Sequence, residues 1–230
     1  MQEIRYIAVN GREYPVLISD EAEALLAARA AGRAVVGLWD RERGTLPFGA
    51  AEFVVERPED ADPAFLERVV RRSLGLPWRI CETKRLLIRE ICGDDFTEIW
   101  ENQIGHGFGT LEELEAYTKH QYGFYGFGFW ALVEKAGGDL VGVAGVTALR
   151  EADPNRQEIY EKTLGGEGET LEMGYHVFLP YRRRGYGREA CGAVMEYAKE
   201  ELGAGRILLR IERGNLASER MAAGLGFHKR

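Results

Sequence analysis

The chain switches repeatedly between two hydrophobic periods, and the switching sketches an α/β architecture. Residues 4–9 and 14–18 are short β-branched and aromatic runs on either side of Asn10-Gly11, a dipeptide that favours tight hairpin turns. Ser19-Asp20-Glu21 supplies N-cap chemistry for an Ala- and Leu-rich helix through Ala31, which Gly32 stops. Ala34–Trp39 is a continuous apolar run of the kind a strand buried on both faces carries. A strand over 52–56 and a helix over 63–74 complete this first alternating segment, and Pro77-Trp78 marks its end.

The pattern then restarts. Arg85–Glu90 alternates as a strand, and Gly93-Asp94-Asp95 caps a helix through Trp100. Thr110-Leu-Glu-Glu113 is a capping box, which predicts a helix from Thr110 to about Gln121. Strands follow over 127–135 and 140–149, split by the turn Gly137-Gly138-Asp139. Residues 151–169 read as an acidic, glycine-containing loop before a strand over 170–179. The helix predicted over 185–202 puts Ala190, Val194, Tyr197 and Ala198 on one face. A strand over 206–211 and a short helix over 218–223 come last. The aromatic stretch Gln121–Trp130 reads mostly as core and strand pairing.

Composition narrows the function more than the fold. At about 150 residues per domain, 230 residues suit one good-sized domain and a smaller partner. The expected division is a small Rossmann-like α/β accessory domain over 1–78 and a second domain over 79–230. With 45% hydrophobic and 29% charged residues the chain is an ordinary globular one, not a disordered one. A net charge of −7 disfavours a nucleic-acid partner. No apolar stretch approaches the ~20 residues of a membrane span, and Met1-Gln-Glu-Ile-Arg5 lacks a signal-peptide layout. Cys81, Cys92 and Cys191 are widely spaced and form no CxxC pair. The expectation is a soluble cytoplasmic protein with reduced thiols and no metal site.

Candidate chemistry concentrates in Leu179-Pro-Tyr-Arg-Arg-Arg-Gly-Tyr-Gly-Arg-Glu-Ala190, between a strand and a helix. A helix N-terminus presents unpaired N–H donors and the positive end of the macrodipole, so each arginine there costs about 0.3–1 kcal/mol. Arg182, Arg183, Arg184 and Arg188 around Gly185 and Gly187 therefore mark a place that expects an anion. Exposed arginines on an ordinary strand–turn–helix are the plain alternative. Gly185-Tyr-Gly187-Arg-Glu-Ala190 also fits the dinucleotide pattern GxGxxA, with Glu212 ending the next strand. Three arginines before the first glycine and the 18 residues left after Glu212 speak against a dinucleotide fold.

Several stretches resemble the GCN5-related N-acetyltransferases (GNAT). Arg182-x-x-Gly185-x-Gly187 matches the family signature, and four further stretches match in order and spacing. They are Thr83-x-Arg85-Leu86-x-Ile88-Arg89, Gly128–Leu132 with Gly142-x-Ala-Gly145, Glu172-Met-Gly-Tyr175, and Asn215-x-x-Ser218 before Gly226-Phe227. The likeness spans roughly 82–230 and is greatest to the subgroup that acetylates ribosomal-protein N-termini. Residues 17–20 and 31–35 bear a fainter likeness to the haloacid dehalogenase fold, without that family's nucleophile motif.

The resemblance implies a mixed sheet flanked by helices, with acetyl-CoA as acetyl donor wedged between the strands at 170–179 and 206–211. Backbone groups of about Tyr175, His176, Val177 and Phe178 would meet the pantetheine arm. N–H groups from Arg183 to Arg188, including Tyr186, would hold the pyrophosphate. Asn215 would reach the pantetheine from the far side, or cap the last helix. Glu172 is the implied general base, with His176 on the same face as an alternative. Ser218 is the implied proton donor to the thiolate, because the tyrosine many members carry in the last helix falls at Ala222. Tyr122, Tyr125 and Trp130 would edge the acceptor side, and Gly105–Gly109 would form a mobile loop there. His106 and His120 lie in the same region and read as surface or packing residues.

The implied function is acetyl transfer to a primary amine, on a small molecule or a protein N-terminus; the alternative is a non-catalytic acyl-CoA-binding module. A homodimer is left open. Family members continue past Gly-Phe with two more strands. Those strands are expected to be missing here, leaving an edge for further chain, a partner or the first domain to cover.

Overall fold

The chain divides into two compact units, Met1–Trp78 and Arg79–Arg230, whose core clusters do not mix. The structure, a computed structural model, describes residues 1–39, 49–102, 108–149 and 157–230. His106 and most of the Gly105–Gly109 stretch lie outside the described residues, as does the start of the 151–169 loop.

In the first unit, β1 (Gln2–Val9) and β2 (Arg12–Ser19) form an antiparallel hairpin around Asn10-Gly11. From β2 the chain passes through α1 (Ala22–Ala30) to β3 (Ala34–Leu38), parallel to β2, and β4 (Val54–Val55) pairs parallel to β3. The sheet order is β1-β2-β3-β4. Leu17 and Val35 share a core with Leu25 and Ala28 of α1. Val16, Ile18, Ala34 and Val36 cluster instead with Leu66, Val69 and Val70 of α2 (Pro63–Ser73). Both faces are covered, so every residue of β3 is buried and the strand reads as an unbroken apolar run. The α1 N-cap is Glu21, which makes no side-chain capping bond; the Ser19 hydroxyl accepts from the Glu21 N–H instead.

The second unit is an eight-stranded sheet in the order β12-β9-β11-β10-β8-β7-β6-β5. Its strands are β5 (Arg79–Glu82), β6 (Leu86–Glu90), β7 (Phe129–Glu134), β8 (Leu140–Thr147), β9 (Gln157–Thr163), β10 (Thr170–Val177), β11 (Arg206–Glu212) and β12 (His228–Lys229). Every neighbouring pair is antiparallel except β10 and β11. The helices are α3 (Phe96–Glu101), α4 (Leu111–Tyr125), α5 (Tyr186–Glu200) and α6 (Leu216–Gly224). Pleating sends Trp130, Leu132, Ala144 and Val146 into one core with Ala190, Val194 and Ala198 of α5. Ala131 and Val143 point the other way, into a core with Ile99 of α3 and Leu114 of α4. The result is a mixed sheet flanked by helices.

Three elements differ from the sequence pattern. β5 and β9 form where no strand is expected, because the sheet supplies pairing partners that local sequence does not reveal. β9 carries mostly polar residues, yet it pairs along the whole of β11, from Arg206↔Thr163 to Glu212↔Gln157. The β11 edge is thus covered by chain that precedes β10. Helix α4 runs to Tyr125, past its expected end at about Gln121 and into the aromatic stretch before the strand. Thr110 caps it by accepting from the Glu113 N–H, while the Glu113 carboxylate accepts from Gly109 rather than from Thr110.

The candidate cleft between divided strands

The parallel pair β10–β11 holds together only at Thr170↔Arg206, Leu171↔Ile207 and Glu172↔Leu208. Past that point β10 stays with β8 as far as Val177↔Gly142, while β11 stays with β9. The sheet therefore divides beyond Glu172. A cleft of about 560 Å³ opens at the division. β10 contributes Tyr175, His176 and Val177 to its walls; α6 and its cap contribute Asn215, Ala217, Ser218 and Met221. The β10–α5 turn and the start of α5 add Tyr181, Arg182, Arg183, Gly185, Tyr186, Gly187 and Arg188. Arg184, Phe178 and Glu172 do not line it, nor do the aromatic candidates Tyr122, Tyr125 and Trp130.

The backbone of the turn alternates in the sign of φ. Arg183 and Gly185 both sit in the left-handed region, with φ of 61° and 84°, and flank Arg184. Alternation of this kind turns successive amides toward one side and makes a concave anion nest. Gly185 is the N-cap of α5, so the nest continues into the free N–H groups of the helix's first turn. A non-glycine residue such as Arg183 spends roughly 1–2 kcal/mol to hold that conformation. Gly187 is different. A Cβ there would lie 3.5 Å from the Tyr175 ring and from Val177, an ordinary contact, so the backbone itself does not demand glycine.

Most of the arginines are held by the protein. Arg182 Nε donates to the Val177 carbonyl at 2.9 Å, and Arg188 Nη2 donates to the Gly224 carbonyl at 3.0 Å at the end of α6. The Arg184 guanidinium lies over the Tyr181 ring. Two of the β10 backbone groups expected to meet the pantetheine are also engaged: the Val177 carbonyl by Arg182, and the Phe178 N–H by Val141.

A brace that sequence reasoning missed stands behind the turn. Arg85 Nη1 donates to the Arg184 carbonyl at 2.8 Å, and its Nε donates to Glu189 at 2.7 Å. The Arg85 N–H and the Thr83 hydroxyl also donate to Glu189, and the Arg85 guanidinium stacks 4.4 Å above Tyr186. Burial works to raise the Glu189 carboxyl, but the hydrogen bonds from Thr83 and Arg85 outweigh it and hold it below its usual value. Tyr186 in turn donates to Glu134 on β7, which raises its phenol. The signal available in the sequence was Thr83-x-Arg85; its partner was not, because an acid in a helix's first turn is commonplace.

Around the division the candidates fall on two faces. Glu172 and His176 project to the α3/α4 side of the sheet. The Glu172 carboxylate is 3.2 Å from Nη2 of Arg210 on β11, an ion pair whose arginine side chain is only 9% exposed. His176 sits beside the Phe178 ring at the cleft; burial and then the Arg182 charge push its imidazole below the usual range. On the α5 side, Ser218 accepts a hydrogen bond from the Tyr175 hydroxyl at 2.9 Å, a contact that spans β10 and α6. Asn215 Oδ1 accepts from the Ser218 N–H, so Asn215 is the cap of α6 and keeps only its amide donors for anything else. Ala222 is fully buried.

The aromatic candidates sort differently from expectation. Trp130 is wholly buried and stacks edge-on with Tyr197 of α5. Tyr122 is buried too, with its hydroxyl accepting from Ile91 and donating to Phe129. Both are packing residues, placed inward by strand parity and helix phase. Tyr125 is half exposed at the end of α4, and His120 is exposed. Among the described residues no group of three or more His, Cys, Asp and Glu could hold a metal ion, and no helix is long and apolar enough to cross a membrane.

Comparison with known proteins follows the same outline. Residues 85–228 match the family described as "Acetyltransferase (GNAT) domain". Over 104 residues the chain is 29% identical to the uncharacterized protein YkkB of Bacillus subtilis, 45% of this chain and 52% of that one. It is 30% identical over 156 residues to the uncharacterized N-acetyltransferase YnaD of the same organism, 64% of this chain and 81% of that one. It thus spans about half of the first relative and most of the second. Among solved structures, Salmonella typhimurium yncA with its cofactor acetyl-CoA shares 22% identity at a TM-score of 0.46, over 63% of this chain and 80% of that one.

Proposed function

The chain belongs to the GNAT acetyltransferase family, and from that premise we propose that it transfers the acetyl group of acetyl-CoA to a primary amine on a protein N-terminus or a small molecule. The observation that carries this reading is the division of β10 from β11 beside a turn rich in outward N–H groups. An extended pantetheine arm fits where a strand partner is missing, and a pyrophosphate fits an anion nest at a helix N-terminus. The residues fit the donor substrate: the Gly187 position has room, and the turn is already fixed from behind by Arg85. The bound donor supplies an activated acyl group; the protein supplies position and proton transfer.

In this reading the N–H groups of 183–188 hold the diphosphate and leave the thioester near the point of division. Glu172 takes the proton from the acceptor amine, directly or through water, with Arg210 fixing the direction of its carboxylate. His176 is the second candidate base: a half-buried imidazole on the same face as Glu172, pushed down by burial and then by the Arg182 charge. Ser218 gives its proton to the departing sulfur. The three cysteines are free thiols, and reduced thiols with an intracellular acyl donor suit a cytoplasmic enzyme.

Two measurements test the reading. Calorimetric titration with acetyl-CoA should show binding, and mass spectrometry with spermidine, a lysine peptide and peptides carrying free N-terminal alanine or serine should show a gain of one acetyl group. Tight binding with no acetylation of any amine would favour a non-catalytic acyl-CoA module instead. A further expectation concerns the brace. Arg85→Ala should weaken acetyl-CoA binding by about 5–30-fold, the equivalent of about 1–2 kcal/mol lost from the turn's support. Arg85→Lys should not restore it, since one ammonium cannot reach both the Arg184 carbonyl and Glu189 with the arginine fork's geometry. Unchanged affinity in both variants would show that the turn holds its shape without Arg85.

A further inference from the structure

Ser218 is a weak acid for the task assigned to it. A phenol, with an ordinary pKa near 10, matches a thiol's 8–9 far better. The last helix offers no phenol at the buried Ala222, yet one is present from the other side of the cleft. The Tyr175 hydroxyl donates to Ser218 Oγ at 2.9 Å. Two features make the contact more than incidental. With the tyrosine as donor, the serine's own hydrogen is left to point elsewhere. Each partner is also held from behind, the serine N–H by Asn215 Oδ1 and the ring by the core it packs against. Both residues line the same cleft.

We infer that Tyr175 is a positioning residue for the proton transfer, a relay that orients Ser218 and refills its hydroxyl as the thiolate leaves. The inference rests on the acetyl-transfer reading above. The amine nitrogen–carbon bond forms and the carbon–sulfur bond breaks. Sulfur takes the Ser218 proton, Ser218 takes the Tyr175 proton, and Tyr175 regains one from water, while the amine's proton passes to its base. Burial raises the Tyr175 phenol, so it stays protonated and remains a donor throughout the physiological range. The plain alternative is a brace tying α6 to β10.

Wild type, Tyr175→Phe, Ser218→Ala and the double variant separate the two roles. Acetyl-CoA affinity by calorimetry should be unchanged in Y175F. Turnover on an amine the wild type acetylates should fall by about 10²-fold at pH 7, the low end for loss of a proton-transfer group. That defect should shrink as pH rises toward the thiol's own pKa, and the double variant should be no slower than S218A. Independently of activity, 13Cζ-tyrosine NMR of the unliganded protein should show the Tyr175 titration moving further up in S218A, because Ser218 stabilises the phenolate. If Y175F melts early, S218A, which retains the ring, carries the same pH comparison. Full activity in Y175F, additive losses, a defect independent of pH, or lost affinity would each overturn the relay. A wild type that acetylates none of the amines would overturn the acetyl-transfer reading itself, and the relay with it.

Discussion

Gly187→Glu is expected to raise the dissociation constant for acetyl-CoA by at least about 100-fold while the chain stays folded. The two halves of that statement have separate causes. Gly187 has ordinary backbone geometry, and a Cβ there would meet Tyr175 and Val177 only at 3.5 Å, so the fold tolerates a side chain. The carboxylate would, however, enter the cleft to which the diphosphate is assigned, and like charge brought against a diphosphate costs several kcal/mol. At 1.4 kcal/mol per decade, two decades is a conservative figure. Calorimetry with acetyl-CoA and a thermal melt on the same sample check both halves. Unaltered affinity in a folded variant would remove the turn as the diphosphate site. Gly185→Glu would be a poorer probe, because its φ of 84° and the Arg85 side chain 3.3 Å away confound binding with strain.

Glu172→Gln should lower turnover by roughly 10²–10⁴-fold if the carboxylate takes the amine's proton. Acetyl-CoA affinity should barely move, since the charged end of the donor is assigned to the arginine turn. Glutamine is the informative choice. Its amide oxygen can still accept from Arg210, whereas alanine would leave a largely buried guanidinium without that partner, a far costlier change. The loss should be larger for a lysine ε-amine, with a pKa near 10.4, than for an α-amine near 8, which is partly neutral already. Steady-state rates on the two acceptor types across pH 6.5–9 test this. Full activity of E172Q at pH 7 would make the carboxylate a structural partner of Arg210, and a matching loss in His176→Ala would move the base to His176.

The elements with strong internal periodicity were legible from sequence: β3 as an unbroken apolar run, and α5 as a stripe of Ala190, Val194 and Ala198. β9 was not, because its Gln-Glu-Ile-Tyr-Glu-Lys-Thr carries almost no hydrophobic signal and forms only against the length of β11. Nor was the end of α4, where aromatic residues that favour strands are drawn into a helix that buries Tyr122. The same division runs through the candidate site. Arginines and glycines at a strand–helix junction raise the expectation of an anion by residue type alone. Which arginines remain for an anion does not follow from residue type, since the Val177 carbonyl just before the turn takes up Arg182 and the Gly224 carbonyl, 36 residues on, takes up Arg188.

By itself the sequence determined two α/β segments, the order of most of their strands and helices, and the residue types gathered around one turn. These are local quantities, set by period, capping and backbone freedom within a few residues. Only the tertiary structure decided that β10 and β11 part after Glu172↔Leu208, that Arg85 braces a turn 99 residues away, and that Tyr175 meets Ser218 across 43 residues of chain. It also turned Trp130 and Tyr122 inward. Pairing, bracing and burial of this kind depend on which distant groups satisfy one another's hydrogen bonds and fill one another's space. No window of sequence contains that information, because it becomes defined only when the whole sheet closes around its core.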